Sequence, residues 1–412
     1  MDYQVTASDG VTASRGFTAS GVAAGVKKAG SLDMALLVSE SPAVAAAAFT
    51  SNQFAAAPVQ YGRTLFATDP LIRAVIINSG NANACTGSQG MNDTRQMAAR
   101  TAACLGCKSD EVLVSSTGRI GVPLPMSVIM RGIERAVESL ASTGGAAAAE
   151  AIMTTDTRPK TGAVSFEVDG CQLTVGGMAK GAGMIAPQMV TAGPHATMLA
   201  YITTDAAVEA KFLHACLNSA LAHSFNKITV DGDMSTNDTV MVLANGQAGN
   251  EPISASHPAA GKFRHAIHDI SEKLARDIVL DAEGATKFVQ VKVNGARNKT
   301  EARACADTIA NSLLCKTAWF GNDPNWGRVL DAAGYAAAEI DTKAVALDYN
   351  QIPVVRNGIS AGTDEAVLAQ TMQNRELMIE LNLGTGQAEA IVWTCDLSYD
   401  YVKINAAYTA QG

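Results

Sequence analysis

The chain has 412 residues, 48% of them hydrophobic and 17% charged, and carries a formal net charge of −8 at pH 7. This composition is typical of a compact globular protein with two or three packed units, and it argues against extensive disorder. No cluster of five or more Lys and Arg residues occurs, so a nucleic-acid partner is not expected.

Helices and strands are predicted along the whole chain. Apolar residues recur at helical spacing in six segments: 92–106, 126–142, 207–224, 262–277, 300–317 and 364–373. Runs rich in β-branched residues predict strands at 73–78, 111–117, 163–168, 228–232, 239–246, 288–293, 377–384 and 390–395. The helices are amphipathic and the strands alternate only partly, so we expect an α+β fold, a layered sandwich of β-sheets covered by helices.

Two features bear on the compartment. The opening MDYQVTASDGVTAS lacks the basic and apolar regions of a signal peptide, and no stretch runs 18 apolar residues without interruption. The eight cysteines are spread through the chain, and the single CxxC at Cys104 and Cys107 is weak evidence for zinc or redox chemistry. We therefore expect a cytoplasmic protein with free thiols, no metal and no membrane partner.

Several catalytic signatures are missing from the sequence. There is no GxSxG elbow, no GxxxxGK[ST] phosphate loop, no HExxH and no strand-GxGxxG-helix unit. The DGDMSTND segment at 231–238 superficially resembles a calcium loop, but Thr236 and Val242 stand where that loop needs Gly and Glu. A turn or a substrate loop is the better interpretation of this segment.

The six histidines show neither ligand spacing nor an obvious catalytic partner, so a histidine base is not expected. A hydroxyl can still be activated when it belongs to an N-terminal residue, because the α-amine, with a pKa near ~8, then serves as the base. One segment stands apart in this respect: GGMAKGAGMIAPQMVTAGPH at 176–195 is dense in Gly and Pro and precedes the apolar run ATMLAYITTDA. Its Met and Ile content predicts a buried, functional loop that feeds a strand.

A set of motifs carries a family resemblance over nearly the whole chain. They are NSGNANACTG (78–87), SSTGRIGVPLP (115–125), IMTTDTRPK (152–160), KGAGMIAPQM (180–189), ATMLAYITTDA (196–206), TVDGDMSTNDT (229–239), DAEGATKF (281–288), FGNDPNWGR (320–328) and WTCDLSYDYVKINA (393–406). In this order they resemble the bifunctional ornithine acetyltransferase/glutamate N-acetyltransferase family, ArgJ. The resemblance implies a DmpA/ArgJ-like, self-processing fold of the N-terminal-nucleophile type.

The resemblance also implies how the chain works. The peptide bond between Ala196 and Thr197 would break by an N-to-O acyl shift, leaving an α chain of residues 1–196 and a β chain of residues 197–412. Thr197 would then take acetyl from N-acetylornithine and pass it to glutamate in arginine biosynthesis. The two chains would associate into heterotetramers or larger assemblies. No cofactor is expected, and acetyl-CoA stays open as a second acetyl donor.

Further residues receive roles from the same resemblance. Thr117 and Gly118 match the oxyanion-hole pair, although a simple turn after the preceding strand is the alternative for them. The substrate-binding positions match Thr154, Lys180, Thr197, Glu283, Asn405 and Ala410. A solvated lysine and an ordinary surface glutamate are the alternatives for Lys180 and Glu283.

The sequence departs from the family pattern at three places. VTAGPH at 190–195 intervenes before Ala196, so that Thr191 takes the nucleophile's place by its spacing from Lys180, while Thr197 takes it by local sequence. Arg119 follows the oxyanion pair where an apolar residue is usual. Ala410 stands where a terminal hydroxyl contacts substrate, and Thr409 is the alternative for that contact.

Two other functions remain open at this stage. A self-processing amidase or aminopeptidase would transfer the acyl group to water instead of glutamate. An unprocessed, non-catalytic binding homologue is the other, because the inserted residues at 190–195 lengthen the scissile loop.

Overall fold

The computed structural model describes residues 5–6, 10–27, 30–186 and 198–406. The chain divides into two compact units. Unit 1 comprises Met1–Asn226 and Met234–Ile278, and unit 2 comprises Lys227–Asp233 and Val279–Gly412. The proposed α/β chain boundary between residues 196 and 197 falls inside the range of unit 1 and stays a prediction.

Unit 1 is organised around one mixed sheet. In chain order its described strands are β1 (Val5–Thr6), β2 (Phe17–Val22), β3 (Met34–Phe49), β4 (Leu71–Asn81), β5 (Val112–Arg119), β6 (Lys160–Val168), β7 (Cys171–Lys180), β8 (Leu199–Thr204) and β9 (Thr239–Ala244). In space they follow the order β1-β6-β7-β8-β9-β3-β4-β5, with β2 paired to β3. The pairs β8–β9 and β4–β5 are parallel and the others are antiparallel.

The long strand β3 joins the two halves of this sheet. Its first part, residues 34–38, pairs with β4, and its last part, residues 44–49, pairs with β9, with a register shift between them. One hydrophobic cluster contains Leu37 and Val75 from one half together with Tyr201 and Met241 from the other. The two halves of the sheet therefore face each other across a shared core. This arrangement is the predicted sandwich, formed here by one continuous sheet.

Helices cover the outer faces of unit 1. They are α1 (Ala57–Phe66), α2 (Gly87–Leu105), α3 (Met126–Glu138), α4 (Gly145–Ala151), α5 (Ala210–His223) and α6 (Ala260–Leu280). A second cluster packs Met97 of α2 and Ile133 of α3 onto Ile76 of β4. Because β4 buries residues on both faces, it reads as an almost continuous apolar run.

Unit 2 is a smaller sheet with its own helices. Its described strands are β10 (Phe288–Ala296), β11 (Ala346–Tyr349), β12 (Ile352–Arg356), β13 (Ile359–Ser360), β14 (Glu376–Asn382) and β15 (Ala388–Cys395), in the spatial order β13-β12-β11-β14-β10-β15. Its helices are α7 (Lys299–Asn311), α8 (Leu313–Phe320), α9 (Trp326–Gly334), α10 (Glu365–Met372) and α11 (Tyr399–Ala406). A separate core, which includes Trp319 and Val291, fills this unit.

The structure agrees with the predicted α+β class and corrects some elements. The predicted helix 300–317 is two helices, because the Ser312 hydroxyl accepts the Cys315 N–H at 3.3 Å and starts α8. The predicted strand 228–232 is wrong: Gly232 N–H donates to Thr229 Oγ1 at 3.2 Å, which folds the segment into a turn. Within the part of the chain that the structure describes, no helix is long and apolar enough to cross a bilayer.

Candidate active site

The predicted oxyanion pair lies at the end of β5. Thr117 is buried and pairs with Ser79 of the parallel strand β4, while Gly118 lies opposite Gly80. Gly118 has a φ of +129°, which only glycine adopts readily, and an added Cβ would lie 2.4 Å from the Gly80 carbonyl carbon. The position therefore requires glycine for two independent reasons.

Lys180 ends β7 and is buried, with 3% of its surface exposed. Its ammonium donates to Thr154 Oγ1 at 2.8 Å and to Thr117 Oγ1 at 3.4 Å. The structure thus brings together Thr117, Thr154 and Lys180, three residues that lie far apart in the sequence. The alternative interpretation of Lys180 as a solvated lysine does not hold.

Asp156 is a member of this cluster that the sequence analysis missed. Its carboxylate accepts from the Lys160 ammonium and the Gly181 N–H, both at 2.7 Å, and lies 3.9 Å from the Lys180 ammonium. Burial raises the pKa of this carboxyl, but the charges of Lys180 and Lys160 outweigh burial, and the pKa of Asp156 lies well below its ordinary value. It lies in the IMTTDTRPK motif, but nothing in that motif indicates that Asp156 pairs with Lys180, 24 residues further along the chain.

Replacing Asp156 with asparagine should destabilise the protein by about 3–5 kcal/mol, because it leaves buried lysine charges without their counter-charge. Urea unfolding measures this loss. The matched control is Asp277→Asn, whose carboxylate pairs at 2.6 Å with the partly exposed Lys273, and there we expect about 0–1 kcal/mol. Equal losses in the two variants would contradict the buried role.

The same carboxyl predicts a pH dependence. Because the folded-state pKa of Asp156 is depressed, its contribution to stability is fully present above the unfolded-state pKa of about 3.9. That contribution is lost as the pH falls toward the lower folded-state pKa. The stability difference between the native chain and Asp156→Asn should therefore be constant above about pH 5 and shrink below it.

Asp238 is a second buried carboxyl that the sequence analysis missed. It directly precedes β9 and is fully buried. Burial raises the pKa of Asp238 well above its ordinary value, and the Met198 N–H and the Lys180 ammonium oppose that rise only in part. From the sequence, its segment, DGDMSTND, is interpreted only as a turn or a substrate loop.

The strand register relates these residues to one another. Lys180 of β7 pairs with Leu199 of β8, and Leu199 pairs with Thr239 of β9. The Thr239 N–H donates to the Met198 carbonyl at 3.0 Å. Lys180 and Asp238 therefore lie at the same edge of the sheet as Met198, the edge formed by the end of β7 and the starts of β8 and β9. Met198 follows Thr197 in the sequence.

Unit 2 brings together two other predicted substrate contacts. Glu283 is buried, and its Oε2 accepts from Asn405 Nδ2 at 2.7 Å, so the interpretation as an ordinary surface glutamate does not hold. Asn405 Nδ2 also donates to the Tyr401 carbonyl at 3.0 Å. The loop after Glu283 is anchored by Asp396, which accepts the N–H groups of Thr286 and Lys287 at 2.9 and 3.0 Å.

The remaining predicted positions are less constrained by the structure. Arg119 is exposed, so water surrounds its charge. The two residues at the predicted cleavage site and the rival nucleophile lie outside the described residues, as do both candidates for the terminal hydroxyl contact: Ala196, Thr197, Thr191, Ala410 and Thr409.

The unit 1 cluster presents the buried ammonium of Lys180, the hydroxyls of Thr117 and Thr154, and the backbone of Gly118 near the end of β5. Donors fixed in this way are what acyl-transfer enzymes use to stabilise a developing oxyanion. Comparison with known proteins identifies the class more narrowly: the model of the ArgJ family matches residues 18–410. The chain therefore belongs to the ArgJ family.

Individual relatives agree with this assignment. The arginine biosynthesis bifunctional protein ArgJ of Symbiobacterium thermophilum is 48% identical over 97% of this chain and 98% of its own length. That of Geobacter sulfurreducens is 47% identical over 96% and 99%. The predicted family is confirmed, and so is the predicted enzyme class, an acyltransferase of arginine biosynthesis.

Two solved structures are also similar. The crystal structure of arginine biosynthesis bifunctional protein ArgJ from Bacillus halodurans is 39% identical with a TM-score of 0.48, covering 50% of this chain and 97% of that one. The ornithine acetyltransferase of Mycobacterium tuberculosis, complexed with ornithine, is 46% identical with a TM-score of 0.43, covering 46% of this chain and all of that one.

Proposed function

We propose that this protein cleaves itself between Ala196 and Thr197 and then transfers acetyl from N-acetylornithine to glutamate through an acetyl ester on Thr197. The observation that carries the proposal is the cluster of Lys180, Thr117 and Thr154 at the sheet edge where β8 begins. In the sequence, only Met198 separates Thr197 from Leu199, the first residue of β8.

The cleavage step follows from the chemistry of a threonine. The Thr197 hydroxyl oxygen adds to the Ala196 carbonyl carbon, a C–O bond forms as the C–N bond breaks, and the hydroxyl proton ends on the released nitrogen. Water then hydrolyses the ester and leaves a free hydroxyl and a free α-amine on Thr197. The oxyanion that forms during the addition calls for donors such as those at Thr117 and Gly118.

The transfer reaction uses the same atoms. The α-amine takes the hydroxyl proton as Thr197 attacks the acetyl carbonyl, and it delivers that proton to the departing amine of ornithine. The amine of glutamate then attacks the acetyl ester and regenerates the hydroxyl.

The sheet explains how the two proposed chains would stay together. Residues 175–180 of β7 pair with residues 204–199 of β8, and β3 pairs with β9. Both pairs would join an α-chain strand to a β-chain strand. Cleavage would therefore leave the sheet of unit 1 intact, and native mass spectrometry should find both chains in each assembly, as a heterotetramer or larger.

Intact mass spectrometry of the purified protein tests the cleavage. Cutting before Thr197 gives chains of 196 and 216 residues, whereas cutting before Thr191 gives 190 and 222. A single uncut chain would contradict the proposal and favour a non-catalytic homologue. Labelled acetyl that appears as free acetate, and not on glutamate, would favour an amidase instead.

Glu283 should recognise an ammonium group of the amino-acid substrates, because it is a buried carboxylate that accepts a hydrogen bond from the neutral amide of Asn405. Glu283→Gln should raise KM for N-acetylornithine about 10–100-fold, from a charged contact worth about 1.5–3 kcal/mol, and should leave cleavage unchanged. Steady-state kinetics measure this. Glu365→Gln, at an exposed position of the same unit, should leave KM unchanged, and a wild-type KM for Glu283→Gln would overturn the role.

Acetyl-CoA as a second acetyl donor is favoured by the name of the relatives, which are called bifunctional. The Thr197 ester would be the same, and only the leaving group would change from an amine to a thiolate. Incubation with acetyl-CoA and glutamate, without N-acetylornithine, should then yield N-acetylglutamate. If none forms, the chain uses N-acetylornithine alone.

A further inference from the structure

Asn237 is a buried amide in the segment that leads into β9, with 5% of its surface exposed. Its Nδ2 donates to the Ser116 carbonyl at 2.8 Å and to the Ala82 carbonyl at 2.6 Å. Its Oδ1 accepts from the Thr236 hydroxyl at 2.6 Å. Both amide hydrogens and the amide oxygen therefore have partners within unit 1.

Both carbonyls that Asn237 holds belong to the backbone around the predicted oxyanion pair, here called the oxyanion turn: residues 116–119 at the end of β5 and residues 80–82 beside them. Ser116 directly precedes Thr117 in β5, and its own hydroxyl donates to Asn78 Oδ1 at 2.7 Å. Ala82 follows the end of β4, and its N–H donates to the Arg119 carbonyl at 2.9 Å. The amide of Asn237 thus fixes the turn from both of its sides.

The backbone of Asn237 belongs to the other half of the sheet. Two residues later, Thr239 pairs with Leu199 of β8 and donates its N–H to the Met198 carbonyl. In the sheet order, β9, β3 and β4 separate β8 from β5, so ladder hydrogen bonds would transmit any strand shift across three intervening strands. The Asn237 side chain spans that separation with two direct hydrogen bonds.

We propose that Asn237 is a positioning residue, which sets the oxyanion donors of Thr117 and Gly118 at the correct distance from the start of β8. The inference rests on the proposed function, because it assumes that an oxyanion forms at this edge of the sheet. A misplacement of about 1 Å in such a site costs on the order of 100-fold in rate. In this proposal Asn237 acts through the Ser116 and Ala82 carbonyls, which its amide holds.

The test compares Asn237→Ala with a matched variant, Asn250→Ala. Asn250 is also a buried amide of unit 1, and its Nδ2 likewise donates to two carbonyls, those of Ala207 and Glu251, at 3.2 and 2.7 Å. Both variants lose a buried amide, so both should lower Tm. Only Asn237→Ala should lower kcat for acetyl transfer, by about 100-fold and with KM unchanged.

The outcomes separate positioning from plain stability. A wild-type kcat for Asn237→Ala, or an equal loss of kcat in Asn250→Ala, would overturn the inference. If Asn237→Ala folds but no longer cleaves itself, that result supports the inference, because cleavage passes through a tetrahedral oxyanion as well. If Asn237→Ala does not fold, Asn237→Ser, which keeps one hydrogen-bond donor, carries the same comparison.

The proposed function fails in a different way from this inference. If the unmodified protein is neither cleaved nor active in acetyl transfer, the function is wrong whatever Asn237 does. If the unmodified protein is cleaved and active, and Asn237→Ala retains its kcat, only the positioning role is wrong.

Discussion

Thr197→Ala should remain a single chain of 412 residues and show no acetyl transfer. Alanine lacks the hydroxyl that adds to the Ala196 carbonyl, and without cleavage no α-amine becomes available as the base. Both functions are lost together, because one residue supplies the nucleophile and carries the base. Intact mass spectrometry and labelled acetyl transfer to glutamate measure the two losses separately.

Two control variants decide which threonine is the nucleophile. Thr197→Ser keeps a hydroxyl and should still cleave, and Thr191→Ala removes the rival hydroxyl and should cleave as the native chain does. If Thr191→Ala stays intact while Thr197→Ala is cut, the nucleophile is Thr191, and the spacing from Lys180 is the better guide than the local sequence. The inserted VTAGPH residues make this comparison informative in this particular chain.

Helices and strands were predictable where the spacing of apolar residues in a segment matches the side of that segment that is buried. Strands β4 and β5 and helices α2, α3 and α5 follow their predicted ranges closely, because apolar spacing reports directly which side is buried. Strand β3 was missed, since its half at 43–48 is mostly alanine, which has low strand propensity. That alanine run is buried between neighbouring strands, where tertiary packing outweighs propensity.

The site was predictable only as a set of candidate residues. Motif resemblance named Thr117, Thr154 and Lys180, and the structure shows them in hydrogen-bond contact. Asp156, Asp238 and Asn237 escaped the sequence analysis, because a buried carboxyl or amide looks like an ordinary loop residue until its partners are known. Some of those partners, such as Lys180 for Asp156 and Ser116 for Asn237, are distant in sequence, and periodicity carries no information about such pairs.

The strongest structural test of the oxyanion turn is Gly118→Ala. The φ of +129° is strained for any residue with a Cβ, and that Cβ would lie 2.4 Å from the Gly80 carbonyl carbon and 2.6 Å from the Asn81 nitrogen. Backbone cannot yield as a flexible side chain does, so β5 must move away from β4 at this point. Moving an oxyanion donor should lower kcat by about 100- to 1000-fold.

Gly121→Ala is the matched control for that variant. Gly121 lies three residues further along the same segment with a φ of +79°, but a Cβ added there meets no atom within 4 Å. It should therefore cost about 1–3 kcal/mol of stability from backbone strain and leave kcat close to that of the native protein. Urea unfolding and steady-state kinetics on both variants separate strain from displacement. Equal losses of kcat would show that strain in this segment, and not the close approach of Gly118 to Gly80, controls the reaction.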